Sequence, residues 1–293
     1  MPQWQGKSKG SPLGYRIFIV ILEKWGVWPA YFLLYFVSFY YFLFSVKSSR
    51  LMYDFLHRRL GLASVVSMVK VYRNYYQFGQ TIIDRIVLMA GMPNRFSFDF
   101  DGEENLHTMA AMKRGGLLLS AHVGNWEIAG HLLKRLNTKI NIVMFDGEHR
   151  QLKEYLTGIT GERNANIIII RNDLSHIYQI KEALDKNELV CMHADRYLEG
   201  VKTLEADFLG QNAKFPAGPF ILAHKFKVPV SFVFAMKEGN LHYHFYSSPV
   251  KEYTEDKNIP LPQQMLNQFV LEMEAKIKLY PEQWYNYYNF WQQ

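Results

Sequence analysis

Short apolar runs interleaved with longer amphipathic stretches are what most constrain this chain. After Gly91-Met92-Pro93, strand candidates fall at 117–121, 140–145, 167–170, 189–193, 230–236 and 241–246. Helix candidates at 126–137, 149–158, 174–186, 216–227 and 263–280 alternate with or follow them. That order predicts an α/β fold with a mixed central sheet flanked by helices. Functional residues in such sheets collect where strands end.

One strand end carries chemistry. The run Leu117-Leu118-Leu119-Ser120-Ala121 stops at His122, and Glu127 follows five residues later. Inside a single α-helix that spacing would set the two side chains roughly 140° apart. If His122 ends a strand and Glu127 lies in the first turn of the next helix, the two can converge. A carboxylate beside an imidazole fixes its tautomer and stabilises the imidazolium formed when it takes a proton. The pair suits a histidine acting as general base on a hydroxyl or amine. Near the positive end of the helix dipole, Glu127 is favoured in its ionised form. A structural histidine capping a strand would give the same pattern.

The string His122-Val123-Gly124-Asn125-Trp126-Glu127 resembles the H-x4-D/E active-site block of the bacterial lipid A biosynthesis acyltransferases. These lauroyl and myristoyl transferases belong to the lysophospholipid acyltransferase superfamily. Further blocks occur in the same order. They are His193-Ala194-Asp195-Arg196, then Phe208-Leu209-Gly210 with Phe215-Pro216-Ala217-Gly218-Pro219 and Val228-Pro229-Val230, and finally Pro281-Glu282-Gln283-Trp284. The likeness covers nearly the whole chain. Departures are Val123 where the family often has Phe, and Asp195-Arg196 where it commonly has Asp-Gln. In place of its Tyr-Arg-Pro string, Asp146 to Arg150 is the nearest stretch. They bear on the acceptor, and related transferases serve aryl-polyene pigment and aminolipid pathways.

The resemblance implies transfer of a fatty acyl chain from an acyl carrier protein thioester to a hydroxyl of a lipid A-type glycolipid. It makes His122 and Glu127 the catalytic pair, with no cofactor and no metal. It also implies a bacterial inner-membrane enzyme whose catalytic domain faces the cytoplasm. Water as acceptor, as in a thioesterase, is an alternative outcome of the same chemistry.

The N-terminal region fits a membrane protein. From Trp25 to Val46, 22 residues pass without a charge. A spanning helix needs about 20 largely apolar residues. Three readings stand open: a single span, an interface-lying helical hairpin, or a buried core helix. The chain divides into an N-terminal hydrophobic membrane anchor over 1–50, a helical linker over 51–95 and an α/β acyltransferase domain over 96–293. Aromatics form 16% of the chain and gather at its two ends, which suits a lipid interface or a large aromatic core. The net charge of +6 suits anionic lipid or an acidic carrier protein. No zinc-ligand spacing, helix-turn-helix signature or arginine cluster points to nucleic acid.

Other candidates lie at element ends. Asp195 and Arg196 follow the apolar run Leu189–Met192 and should emerge at the same edge of the sheet as His122, as an anion-binding group or an ion pair. Arg150 and Arg171 are further candidates for an anionic substrate group, as is Asn125 for substrate contact. Gly210 and Gly218 either let a backbone N–H approach a thioester oxyanion or simply turn the chain. Cys191, the lone cysteine, reads as core, and His242 and His244 share one strand face. No phosphate loop, dinucleotide pattern or G-x-S-x-G elbow occurs.

Overall fold

The computed structural model describes residues 12–126, 128, 136, 138–145, 165–171, 173–251, 253 and 258–292. Its centre is a seven-stranded sheet. The strands are β1 (Ser97–Asp101), β2 (Gly116–Ser120), β3 (Ile140–Phe145), β4 (Ala165–Ile170), β5 (Leu189–His193), β8 (Val230–Gly239) and β9 (His242–Ser247). Their order is β1-β9-β8-β2-β5-β3-β4. β8, β2, β5, β3 and β4 run parallel, β9 returns antiparallel to β8, and β1 runs with β9. The mixed sheet is thus the one expected. β2 is central, with all five residues buried. Covered on both faces, it reads as an unbroken apolar run rather than an alternating one.

Three strands escape the apolar-run reading. β1 alternates Phe and Asp because it is an edge strand. Phe98 and Phe100 meet Phe245, while Asp99 and Asp101 pair with His242 and His244 at 3.4 and 3.2 Å. The other two, β6 (Thr203–Phe208) and β7 (Gln211–Pro216), form a separate hairpin. Its two-residue turn, Leu209-Gly210, has both φ angles positive, at 52° and 76°. That is the backbone a tight hairpin requires, so Gly210 serves the turn.

Helices cover the sheet. α5 (Glu103–Ala111), α6 (Ser175–Asp185), α7 (Gly218–Phe226) and α8 (Leu261–Leu279) follow the strands. α8 turns Met265, Leu266, Phe269, Val270, Met273 and Ile277 inward at helical spacing, onto the main core.

The N-terminal part is helical. α1 (Pro12–Trp25) and α2 (Val27–Phe44) are separated by Gly26, whose φ of 82° ends one helix and starts the next. α3 (Val46–Asp54) passes through a π-turn into α4 (Ser64–Met89). α2 is long and apolar enough to cross a bilayer by length and composition. One side of it, Val27, Ala30, Tyr31, Leu34 and Ser38, is nevertheless buried. α4 lies alongside, with Tyr76 stacked on Tyr35 at 4.3 Å. At Gly79 of α4 a Cβ would fall 2.3 Å from a Leu34 methyl, so glycine permits that close approach. The other side exposes Trp28, Phe32, Phe36, Phe39, Tyr40 and Phe44.

Candidate active site

The site is made where β2 and β5 end side by side. Their parallel register pairs Ser120 with His193, and the Ala194 N–H continues the ladder to the Ser120 carbonyl at 2.9 Å. Continuing that register sets His122 beside Asp195. The Asp195 carboxylate accepts twice from His122. Oδ2 takes the backbone N–H at 3.0 Å, and Oδ1 takes ring Nδ1–H at 2.8 Å. Burial alone would raise the Asp195 carboxyl. The charges of His122, Arg196 and His193, with the His122 hydrogen bond, outweigh it and hold Asp195 well below the usual carboxylate range. Asp195 is therefore an anion with Nδ1 as donor, and Nε2 is the basic nitrogen of His122.

Glu127, the expected partner of His122, lies outside the described residues, as does Arg150. The Nδ1 hydrogen bond belongs to Asp195, which the sequence placed at the same edge of the sheet but assigned to substrate. Around the dyad, the His193 ring lies 4.2 Å from that of His122, and Trp126 meets His193 edge-on at 4.4 Å. His122, His193 and Asp195 are close enough to hold a metal ion. Within that group His122 Nδ1 and Asp195 Oδ1 are joined by their hydrogen bond.

The turn after His122 is held by three backbone contacts. Val123 bridges Trp284 in antiparallel fashion, and the Gly124 N–H donates to the Gln283 carbonyl at 2.9 Å. The Asn125 N–H donates to the Ala235 carbonyl of β8 at 2.7 Å. Gly124 has φ of 70°, and a Cβ there would lie 2.0 Å from that same Ala235 oxygen. Only glycine fits. The Pro281–Trp284 block thus straps the turn that follows His122, a role its sequence did not signal beyond the family likeness.

The remaining candidates separate. Asn125 is 4% exposed, and its side-chain amide donates to the Thr81 carbonyl and the Tyr243 hydroxyl, both at 3.2 Å. It holds the turn from beneath. Arg196 sits 3.9 Å from Asp195, but its guanidinium donates to the Tyr285 carbonyl at 2.8 Å and lies over the Tyr288 ring. It is committed to the protein. Arg171 is exposed at the end of β4, two strands beyond β5. At about 4.8 Å per strand, only an extended substrate would reach both it and Asp195. Gly218 opens α7 after the separate hairpin. Cys191 lines an apolar cavity with Trp126, Ile142, Met192, Val233 and Phe234, next to His193. Burial pushes its thiol up to about 12, so it is no thiolate at neutral pH.

The geometry is that of a partly exposed histidine on a buried aspartate where two neighbouring strands end, beside an apolar cavity. A sequence profile of the bacterial lipid A biosynthesis acyltransferases matches residues 67–293. No curated protein matches the chain. Among solved structures, the crystal structure of a 1-acyl-sn-glycerophosphate (LPA) acyltransferase from Thermotoga maritima is similar over 85% of this chain and 95% of that one. The identity is 13% and the TM-score 0.38. On the profile match, which spans most of its length, the chain belongs to the bacterial lipid A biosynthesis acyltransferase family and is an enzyme that transfers acyl groups to lipid.

Proposed function

We propose that this acyltransferase moves a fatty acyl chain from an acyl carrier protein thioester to a hydroxyl of a lipid A-type glycolipid. The 2.8 Å hydrogen bond from His122 Nδ1 to Asp195 carries the reading. His122 Nε2 takes the acceptor hydroxyl proton as the oxygen attacks the thioester carbonyl. The tetrahedral oxyanion collapses, the C–S bond breaks, and the thiolate leaves with the proton returned from His122. Asp195 fixes the tautomer and offsets the imidazolium charge. Glu127 is a second candidate carboxylate for the same ring. The small cavity beside His193 and Trp126 gives the site an apolar side.

The exposed aromatic side of α2 supports docking at a bilayer, with the helix still packed on α4. Because the donor is cytosolic, the enzyme works from the cytoplasmic face of the inner membrane. The net charge of +6 favours anionic lipid and an acidic carrier protein.

A different acceptor, an aryl-polyene pigment or an aminolipid, is favoured by one observation. Arg196 is spent on the Tyr285 carbonyl rather than turned to an anionic substrate group. The test is detergent-purified enzyme given labelled acyl carrier protein thioester with and without a lipid A precursor, alongside His122→Ala, with products read by mass spectrometry. Acyl precursor that disappears in the variant is the expected result. Intact donor in every arm sinks the lipid A acceptor. Free fatty acid formed without acceptor identifies a thioesterase.

A further inference from the structure

Beneath the catalytic turn lies a buried polar cluster that acyl transfer does not itself require. Lys237 of β8 is 5% exposed and Asp84 of α4 is fully buried. Lys237 Nζ donates to Asp84 Oδ2 at 2.6 Å and to the Asn240 carbonyl. Tyr31 of α2 and Tyr243 of β9 each donate a hydroxyl hydrogen bond to the same carboxylate. A buried ion pair gives little net stability over apolar residues of the same volume, but each partner fixes where the other must sit. What such a cluster holds in place is therefore the question.

Its outward bonds converge on the His122 turn. The Tyr243 hydroxyl accepts from the Asn125 side chain at 3.2 Å. The Lys237 backbone clasps the Gln283 side chain from both sides, donating to Oε1 at 2.9 Å and accepting from Nε2 at 2.7 Å. Gln283 in turn accepts the Gly124 N–H. Residues 124 and 125, immediately after His122 and Val123, are thus gripped from two directions by groups that Asp84 and Lys237 orient. Tyr31 enters the same set of bonds from α2.

We infer that Asp84, Lys237 and Tyr243 are positioning residues for His122, acting through Asn125 and Gln283, and that Tyr31 ties α2 to the catalytic turn. The inference rests on the reading of His122 as general base. A misplacement of about 1 Å at a reacting group costs about 10²-fold in rate, so small relaxations of the turn register in kcat.

Tyr243→Phe removes one hydroxyl and leaves the ring in place. It should lower kcat at least tenfold with the KM for the acyl donor within twofold. It should also shift or broaden the low-field ring N–H proton resonance of His122, assigned by its loss in Asp195→Asn. Tyr31→Phe, which leaves the acceptor of Asn125 intact, should move both readouts less in the same direction. It carries the test if Tyr243→Phe folds poorly. A resonance that stays put overturns the inference whatever kcat does. A shifted resonance with kcat within twofold of wild type overturns it as well. Wild-type protein that shows the resonance but transfers no acyl group refutes the acyl-transfer reading instead, and the resonance comparison alone then decides the positioning claim.

Discussion

Replacing Asp195 by Asn tests which carboxylate serves His122. The side chain keeps its shape and loses its charge. In the wild type the carboxylate lies 2.8 Å from Nδ1 and is 1% exposed, so solvent screens the pair poorly. At an effective dielectric of about 20, unit charges at that separation attract by about 6 kcal/mol. Both charges are spread over two atoms, and an amide oxygen still accepts one hydrogen bond, which leaves a loss of about 3–4 kcal/mol in the transition state. At about 1.4 kcal/mol per tenfold, kcat should fall about 10²- to 10³-fold with KM little changed. The assay is the acyl carrier protein transfer reaction at saturating donor, with Glu127→Gln run in parallel. That second variant should lose less than tenfold if Asp195 alone orients the ring. An Asp195→Asn enzyme within threefold of wild type, beside a Glu127→Gln enzyme that loses most activity, would refute the assignment and return the dyad to His122 and Glu127.

Three further outcomes are expected. Gly124→Ala would place a Cβ against the Ala235 carbonyl in a left-handed backbone. Together, about 1–2 kcal/mol for the backbone and about 1 kcal/mol for the disturbed Asn125 hydrogen bond should lower the thermal midpoint, and activity should fall at least 10²-fold; an unchanged midpoint would contradict the tight turn. Because the Asp195 carboxyl is held below its unfolded value of about 3.9, its stabilisation is complete above that pH and drains away as pH falls toward the folded value. Melting curves from pH 6 down to 3 should therefore fall less steeply for Asp195→Asn than for wild type, and parallel curves would dismiss the linkage. Replacing Trp28, Phe32 and Phe36 together by Ser should weaken co-sedimentation with anionic vesicles while leaving the fold intact. Equal binding by both proteins would show that this side of α2 does not meet lipid.

How much was legible before folding follows from physical cause. The central parallel strands could be read because burial on both faces demands unbroken apolar runs, as in Leu117–Leu119 and Leu189–Met192. The placing of His122 at a strand end followed from where its run stopped. β1 was not legible, since an edge strand needs only Phe98 and Phe100 inward. The β6–β7 hairpin was missed because Glu205, Gln211, Asn212 and Lys214 are exposed and its turn depends on a left-handed Leu209.

By itself, the sequence determined the α/β class, the histidine at the sheet edge, the apolar N-terminal helix and, through ordered blocks, the family. All of these are recorded in local order along the chain. Only the tertiary structure decided that Asp195 is the hydrogen-bond partner of His122, because β2–β5 register joins residues 73 positions apart. It alone turned Arg196 toward Tyr285, made Asn125 a support, and joined Tyr31, Asp84 and Lys237 in one buried cluster. Those choices depend on which strands are neighbours and which groups are denied water, and neither is written in spacing along the chain.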